Sequence, residues 1–318
     1  MKKLIAIGEA LIDFAPSQLG KKIKEVENFS PKTGGAPANV CGAFTRLGGT
    51  SEMITQLGND PFGDKILDDF RSHNIGCDYI LRTDKANTSL AFVSLASDGN
   101  REFSFYRNPG ADMLLSEDEI QKEWFQDCGV LHFCSVSLGD FPMKEAHKKA
   151  ILFAKEQGAL ISFDPNIRLA LWKSQEDLKA AILEFLPYAD ILKISDEELA
   201  FITGETDIEK AKDTLLSHSR LLIYTTGSSG AQAYTKAIFC QAEGKKVSAI
   251  DTTGAGDGFI GSFLYQLCAG EKEIEALSAK ELQEYLKFSN TFCALSVQKH
   301  GAIDSYPTKE EVLQFLKK

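Results

Sequence analysis

The chain has 318 residues, of which 43% are hydrophobic and 25% are charged, proportions that suit a soluble globular protein with a sizeable core. The net charge is -10, and lysine and arginine are not collected into a stripe. This argues against nucleic acid or an anionic membrane as the main partner. Seven scattered cysteines without a CxxC pair predict reduced thiols in a cytoplasmic protein rather than disulfides or a structural zinc site.

The N-terminal apolar run predicts a first core strand at Leu4–Ile7. A signal peptide is the competing interpretation, but Glu9 and Asp13 interrupt the run early and no small-residue cleavage site follows. No apolar stretch approaches the length of about 20 residues that spans a bilayer. We therefore expect no membrane partner.

Short apolar runs alternate with longer amphipathic segments along most of the chain. The runs predict buried strands at Leu4–Ile7, Val130–Phe133, Leu160–Phe163, Ile191–Ile194 and Leu221–Tyr224. The amphipathic segments predict helices at Met143–Gln157, Ser174–Leu186 and Ile208–His218. This alternation predicts an α/β fold in which a mainly parallel central sheet carries helices on both faces.

Two regions depart from this alternation. Residues 12–33 are polar and irregular, whereas Ser89–Tyr106 alternates in polarity and contains the turn sequence Asp98-Gly99-Asn100, which predicts a β-hairpin. Together they predict a small sheet beside the main one. Because the sequence has no linker, repeat or low-complexity segment, we expect a single domain over residues 1–318, with lid segments at about 12–33 and 89–107.

A glycine-rich turn near residue 254 is the segment best suited to chemistry. Lys246–Ile250 predicts a strand and Asp257–Ala269 a helix, with Thr252-Thr-Gly-Ala-Gly256 between them. Glycines allow the backbone to turn tightly, and a helix N-terminus offers unpaired amide donors and a favourable dipole to an anion. Asp257 at the helix start could accept a proton from a hydroxyl group while the amides stabilise a transferred phosphoryl group.

Other interpretations of this turn remain open. It could be a purely structural glycine turn in which Asp257 caps the helix. Gly256-Asp-Gly-Phe-Ile-Gly261 formally matches the GxGxxG fingerprint of dinucleotide-binding sites, but Glu271–Ser296 continues in a helical pattern where that fold requires a strand. A Walker A loop is excluded because no Gly-Lys-Ser/Thr follows.

The segment Asp251-Thr-Thr-Gly-Ala-Gly-Asp257 resembles the second signature of the ribokinase-like (PfkB) carbohydrate kinases, and matches in the family's order extend over the whole chain. The other matching segments are Gly34-Gly-Ala-Pro-Ala-Asn39, Gly58-Asn-Asp-Pro-Phe-Gly63 and Thr225-Thr-Gly-Ser-Ser-Gly230. Gly8-Glu-Ala-Leu-Ile-Asp13 and Asp164-Pro-Asn-Ile-Arg168 are most similar to fructokinases. The resemblance implies an ATP-dependent, Mg²⁺-assisted kinase that phosphorylates fructose at its 6-hydroxyl.

Three alternatives to a fructokinase stay open at this point. A sister kinase for 2-keto-3-deoxygluconate, ribose or a nucleoside would share the catalytic residues. A non-catalytic sugar-binding regulator would keep the fold without the reaction. An NAD-linked oxidoreductase would use the glycine turn differently.

The resemblance also implies roles for individual residues. Asp257 becomes the general base, and Gly254, Ala255 and Gly256 supply the amides of an anion hole. Asp13, Gly34, Gly35 and Asn39 hold the sugar, since a carboxylate and an amide can pair with vicinal hydroxyls; plain turn formation is the alternative role for these residues. Arg168 is our candidate for phosphate contact because its planar fork of donors suits phosphate, with a surface salt bridge as the alternative, and Arg107 is a further candidate for contact with the sugar or phosphate.

The nucleotide and metal sites are implied in the same way. Nucleotide contacts fall on Lys193, Thr226, Gly227, Gly230 and Asn290. Glu198 aligns with the acid of the family's magnesium-associated Asn-x-x-Glu motif and is expected to act through water, while Ser195 replaces the asparagine. A K⁺ site is implied at Asp251, Thr253, Ser296, Lys299, Gly301 and Ser305. Relatives are commonly dimers, and exposed edges of a small sheet often pair, so we expect a homodimer.

Overall fold

The computed structural model describes residues 1–18, 20–95 and 101–317. Strands and helices alternate along most of this length. The strands are β1 Lys3–Ile7, β2 Leu11–Pro16, β3 Phe29–Gly34, β4 Ser51–Gly58, β5 Ile75–Gly76, β6 Ile80–Thr83, β7 Leu90–Leu95, β8 Arg101–Tyr106, β9 Cys128–Cys134, β10 Leu160–Asp164, β11 Ile191–Ser195, β12 Leu221–Thr225, β13 Gly230–Tyr234 and β14 Phe239–Glu243. The helices are α1 Ala36–Arg46, α2 Pro61–Ser72, α3 Met143–Glu156, α4 Gln175–Phe185, α5 Asp196–Thr203, α6 Ile208–Leu216, α7 Ala255–Gly270, α8 Ala279–Ser296 and α9 Lys309–Leu316.

The main sheet has ten strands in the order β14-β13-β12-β11-β10-β9-β1-β4-β5, with β6 also paired to β4. All neighbours run parallel except at one edge, where β12, β13 and β14 pair antiparallel. The mainly parallel sheet predicted from the alternation of apolar runs and amphipathic segments is therefore confirmed. Its carboxyl edge, where α/β sheets bind ligands, contains the ends of β1, β9, β10, β11 and β12.

Helices cover both faces of this sheet because its strands are apolar on both sides. In β1, Leu4 and Ala6 pack into one core, and Ile5 and Ile7 pack into the other. The first core also receives side chains of α1, α2, α7, α8 and α9, whereas the second receives those of α3, α4, α5 and α6. Such burial on both faces explains why the strands are continuous apolar runs in the sequence.

A second sheet of four strands, in the order β3-β2-β7-β8, lies beside the main one. β2 and β7 pair parallel, while each outer strand pairs antiparallel with its neighbour. The small sheet and the antiparallel pair β7–β8 were predicted; the predicted turn Asp98-Gly99-Asn100 lies outside the described residues. Residues 12–33, irregular in their sequence pattern, supply β2 and β3 to this sheet, as predicted.

The strand predicted at Lys246–Ile250 is absent, and the prediction was wrong. β14 is already the edge of the main sheet, and residues 244–253 form a loop. The amides of Ile250 and Asp251 donate to the carbonyl of Val297, beyond α8, at 2.7 and 3.2 Å. Ile250 is 59% exposed, so the apolar character of this segment does not reflect burial in a sheet.

Helices α1 and α7 pack closely in the first core. A Cβ at Gly261 would lie 2.8 Å from the carbonyl oxygen of Val40 and 2.7 Å from the Cβ of Ala43, so glycine allows the two backbones to approach. This contact sets the relation between two helices whose N-termini lie at the carboxyl edge of the sheet. Among the described residues, no helix is both long enough and apolar enough to cross a membrane.

We predict that Gly261→Val separates α1 from α7. Overpacking of this kind costs about 1–3 kcal/mol in the free energy of unfolding, which urea denaturation measures. Ala180→Val is the matched control, since Ala180 is exposed on α4 and the helix-propensity cost is below about 0.7 kcal/mol. Equal destabilisation of both variants would contradict the importance of the close approach.

Candidate active site

The glycine-rich turn forms the N-terminus of α7. Gly254 precedes the helix with φ 71° and ψ 7°, a left-handed conformation that favours glycine. A Cβ there would lie 2.6 Å from the Cβ of Ala302, and the Tyr306 hydroxyl donates to the Gly254 carbonyl at 2.8 Å. The turn is thereby held rigidly with the first amides of the helix at the carboxyl edge of the sheet. One predicted anion-hole donor has an internal partner, because the Ala255 N–H donates to the Thr252 carbonyl at 3.2 Å.

Asp257, in the first turn of α7, is the buried carboxylate at the centre of the site, with only 8% of its surface exposed. Its Oδ2 accepts from Asn39 Nδ2 at 2.8 Å and its Oδ1 from Asn166 Nδ2 at 3.1 Å. Burial raises the pKa of Asp257, while the Asn39 hydrogen bond and the charges of Arg168 and Lys193 oppose that rise. The carboxylate can therefore accept a proton, and two amide groups hold its position.

Asn166 was not assigned a role from the sequence, although it lies inside the segment Asp164–Arg168. It follows β10 and has a left-handed backbone, with φ 48°. Asparagine adopts this conformation more readily than most residues. An asparagine directly after a strand at the carboxyl edge is the signal that could have identified it.

The four residues predicted to hold a sugar lie around the start of α1. Gly34 ends β3, Gly35 precedes α1 with φ 113°, and a Cβ on Gly34 would lie 2.2 Å from Asp13 Oδ2. The side chain of Asp13 therefore packs directly over the glycine pair. Asn39 uses its amino group on Asp257, and its buried Oδ1 has no hydrogen-bond partner within the described residues. This oxygen is available to a ligand hydroxyl group.

Asp13 and Asp257 belong to one electrostatic cluster. Burial raises the pKa of Asp13 to about 7, the charge of Arg168 lowers it, and the charges of Glu9 and Asp257 raise it further. Arg168 is exposed, and its Nη1 donates to the Ile167 carbonyl at 2.9 Å. Its charge lowers the pKa of both Asp13 and Asp257.

Lys193 provides a buried positive charge below the helix N-terminus. Its Nζ donates to Asp164 Oδ2 at 2.8 Å, and a Cβ on Gly256 would lie 3.4 Å from the same Nζ. Burial lowers the pKa of Lys193, but the charges of Asp164 and Glu198 raise it by more, so that it lies above the usual value. The ammonium group is therefore placed to stabilise an anion bound at the glycine turn.

Glu198 joins two segments at the carboxyl edge. Its Oε1 accepts from the Ile167 amide at 3.1 Å and its Oε2 from the Ser195 amide at 2.8 Å, while Ser195 Oγ accepts from the Glu198 amide at 3.2 Å. Ser195 thus caps α5 in a reciprocal capping box, a structural role that serine fills at the position where the Asn-x-x-Glu motif has asparagine. A carboxylate that already accepts backbone amides fits Mg²⁺ held through water, since Mg²⁺ keeps several waters.

The predicted nucleotide-side residues lie near the end of β12 and beside β14. The loop after β12 is held by Thr226, whose N–H donates to the Gly230 carbonyl at 2.9 Å. Gly227 and Gly230 have φ values of 54° and 117°. The Asn290 amide donates to the carbonyls of Ala242 and Glu243 at 3.0 and 3.2 Å. Asn290 therefore anchors the end of β14, and its amino group has protein partners.

Three of the residues predicted for a K⁺ site meet where the loop before α7 contacts the loop after α8. Asp251 Oδ1 accepts from the amide and hydroxyl of Thr253 at 2.9 and 2.7 Å, and its Oδ2 accepts from the Gly301 amide at 2.9 Å. These bonds join the approach to α7 with the loop after α8. Oxygen donors of this kind suit a monovalent cation. The remaining predicted residues have local partners: Ser296 Oγ bonds the Cys293 carbonyl, Ser305 Oγ bonds the Ala302 carbonyl, and Lys299 lies 3.8 Å from Glu311.

Arg107 is buried, and its donors have protein partners. It forms an ion pair with Asp112 through Nε, at 2.9 Å, and Nη2, and it also donates to Ser137 Oγ at 3.1 Å. Ser137 Oγ in turn donates to Glu9 Oε2 at 3.1 Å, and Ser89 Oγ donates to Asp112 Oδ1 at 2.5 Å. We call these five residues the junction network. Of its members, only Arg107 was predicted from the sequence as a site residue. Glu9 could have been identified as a lone acidic residue in an apolar run.

The sequence matches the pfkB family of carbohydrate kinases over residues 1–309. The chain belongs to this family. Fructokinase-2 of Solanum habrochaites is 42% identical over 316 residues, which cover 99% of this chain and 96% of that protein. These matches agree with the buried aspartate at a glycine-rich helix N-terminus, and the chain is a sugar phosphotransferase.

Solved structures of fructokinases share the fold. The fructokinase from Xylella fastidiosa with bound ATP is 33% identical with a TM-score of 0.91, and the match covers 99% of this chain and 98% of that chain. A double mutant of the Vibrio cholerae O395 fructokinase, with fructose, ADP and a potassium ion bound, is 32% identical with a TM-score of 0.90 and the same coverage. The ribokinase-like fold predicted from the sequence is confirmed.

We predict that Gly34→Ala weakens sugar phosphorylation by displacing the Asp13 carboxylate, because the added Cβ has no room beside Asp13 Oδ2. The KM for the sugar should rise by about tenfold, the effect of about 1.4 kcal/mol, in steady-state assays at saturating ATP. Gly158→Ala is the control: that glycine, with φ 72°, ends α3 with open space around its Cβ position. It should lose stability but keep its KM, and an unchanged KM in Gly34→Ala would refute the prediction.

Proposed function

We propose that this sugar phosphotransferase is a fructokinase that transfers the γ-phosphoryl group of ATP to the 6-hydroxyl of D-fructose. The observation that carries the proposal is the hydrogen bond between Asp257 and Asn39. It joins the carboxylate at the phosphate-binding helix terminus to a residue at the start of α1, next to Asp13 and the glycine pair. A sugar hydroxyl group held by Asp13 and Asn39 would therefore lie close to the proton acceptor. The fructokinases among the relatives support fructose as the sugar.

In the proposed reaction, Asp257 takes the proton of the attacking hydroxyl group. The hydroxyl oxygen forms a bond to the γ-phosphorus of ATP, the bond from that phosphorus to the β–γ bridging oxygen breaks, and ADP leaves. Amides at the start of α7 and the charges of Lys193 and Arg168 stabilise the transferred group. Positioning and charge stabilisation provide most of the rate acceleration in phosphoryl transfer.

We propose the same cofactors that the sequence implied. Mg²⁺ would neutralise phosphate charge when bound, with Glu198 oriented towards its water shell. K⁺ would bind where the loop of Asp251 and Thr253 meets the loop of Gly301. The ATP bound to the relative from Xylella fastidiosa and the potassium ion in the one from Vibrio cholerae support ATP and K⁺ as ligands.

We further propose that the small sheet closes over the substrates as a lid within a single domain, because water in the site could accept the phosphoryl group. Within the part of the chain that the structure describes, β3 and β8 each pair on one side only, and Tyr106 is exposed on β8. These features support a homodimer formed through the small sheet. A cytoplasmic location remains a prediction from the free cysteines.

The proposed function is tested by coupled ADP release with fructose, ribose, glucose and 2-keto-3-deoxygluconate, each with and without K⁺. We expect fructose to give the highest kcat/KM, fructose 6-phosphate as the product, and stimulation by K⁺. A higher kcat/KM with another sugar would assign the chain to a sister kinase. No ADP release with any sugar would favour a sugar-binding regulator.

We predict that Asp257→Asn lowers kcat by about 10²–10⁴-fold, the usual cost of losing a general base, while ATP binding measured by calorimetry is retained. In the wild type the carboxylate must be ionised to act. Because burial raises its pKa, kcat should fall as the pH drops through a value above that of an ordinary aspartate. The residual activity of Asp257→Asn should lack this acid limb. Near-normal turnover would remove Asp257 from the mechanism.

A further inference from the structure

The described chain passes four times between the main part of the fold and the small sheet. The passages are the segments between β1 and β2, between β3 and α1, between β6 and β7, and after β8. Each passage contributes one polar group to a common buried cluster. The first, third and fourth provide Glu9, Ser89 and Arg107 of the junction network, and the second provides the amide of Ala36.

Glu9 is the member of this network that reaches the sugar-binding helix. Its carboxylate is 2% exposed; Oε1 accepts from the Ala36 amide at 3.0 Å and Oε2 from Ser137 Oγ at 3.1 Å. The Ala36 amide is the first of α1, and amides of the first turn have no acceptor inside their own helix. A negative side chain at that terminus is also favoured by the helix dipole.

The backbone of Glu9 fixes the same terminus from the other side. A Cβ on Gly35 would lie 2.4 Å from the Glu9 carbonyl oxygen, so the two chain segments are in close contact. Asn39 lies one turn further along α1, where its backbone N–H donates to the Gly35 carbonyl at 2.9 Å. A shift of the Glu9 carboxylate would therefore move the start of α1 and, with it, the side chain of Asn39.

The rest of the network holds the other end of the Glu9 side chain. Arg107 donates to Ser137 Oγ, to the Val136 carbonyl and to Asp112. Asp112 also accepts from Ser89, at the start of β7, and β7 pairs with β2, the strand that carries Asp13. Glu9 thus bridges the helix of Asn39 and the sheet of Asp13.

We propose that Glu9 is a positioning residue for the sugar, because its carboxylate spans the first amide of α1 and the junction network and so sets the separation between Asn39 and Asp13. Glu9 touches neither reacting group. The proposal rests on the assignment of Asn39 and Asp13 to the sugar site. The length of the Glu9 side chain is then decisive, because its carboxylate must reach the Ala36 amide and Ser137 Oγ at the same time.

Two conservative substitutions separate length from charge. Glu9→Asp keeps the charge but is one methylene shorter, so it cannot reach both Ala36 N–H and Ser137 Oγ. Glu9→Gln keeps the length and removes the charge; its carbonyl can accept from Ala36 while its amino group donates to Ser137. If Glu9 acted mainly as a counter-charge to Arg107, the aspartate variant would be the milder one.

The test is steady-state kinetics of the full chain with the sugar that the wild type phosphorylates fastest, varying sugar and ATP separately. We expect Glu9→Asp to raise the KM for the sugar by about tenfold or more, the effect of losing a buried hydrogen bond, with the KM for ATP within about twofold of the wild type. Glu9→Gln should restore the KM for the sugar to within about threefold of the wild-type value.

A control variant distinguishes positioning from general loss of stability. Ile182→Ala removes side-chain volume from the second core, away from α1, and should lower the melting temperature without raising the KM for the sugar selectively. An unchanged KM in Glu9→Asp, an equal rise in both KM values, or a larger defect in Glu9→Gln than in Glu9→Asp would overturn the proposal. A preferred sugar other than fructose would correct the proposed function and leave this comparison intact.

Discussion

The structure of the site depends on one buried carboxylate shared by three segments. Asp257 starts α7, Asn39 comes from α1, and Asn166 follows β10, and the two amide groups hold the two carboxylate oxygens. A buried carboxylate is costly unless its oxygens accept hydrogen bonds or meet positive charge. The two asparagines, with Lys193 and Arg168 nearby, meet this requirement and still leave the group able to take a proton. The catalytic role that we propose for Asp257 and the packing of three elements thus have the same physical basis.

The close approach of α1 and α7 makes this carboxylate possible. Gly261 lets the helices meet along their length, and Gly254 lets the chain turn into α7 without collision with Ala302. Neither glycine has a side chain to offer a ligand, so both act through the backbone. They bring the N-terminus of α7, where we propose that phosphate binds, beside the helix that carries Asn39, which we propose binds the sugar.

The sequence predicted these features unequally. The main sheet and its helices were predictable because strands buried on both faces appear as continuous apolar runs. The glycine-rich turn was also predictable, because glycines directly before a helix favour a tight turn of the backbone. The prediction of a strand at Lys246–Ile250 failed, because the polarity of a segment does not tell whether it has a sheet edge with which to pair. Asn166 and the junction network were missed because their partners lie far away in the sequence, as between Glu9 and Ser137.

The distance along the chain between the partners of Asp257 has a consequence for folding. Asn39 is 218 residues away and Asn166 is 91 residues away. Contacts of such long range form late, because the entropy of closing the intervening loops must be overcome first. The chain cannot complete the hydrogen bonds of the Asp257 carboxylate until its first and last thirds have come together. Enzymatic activity during refolding would therefore report the completion of the whole topology, not the formation of any one part of it.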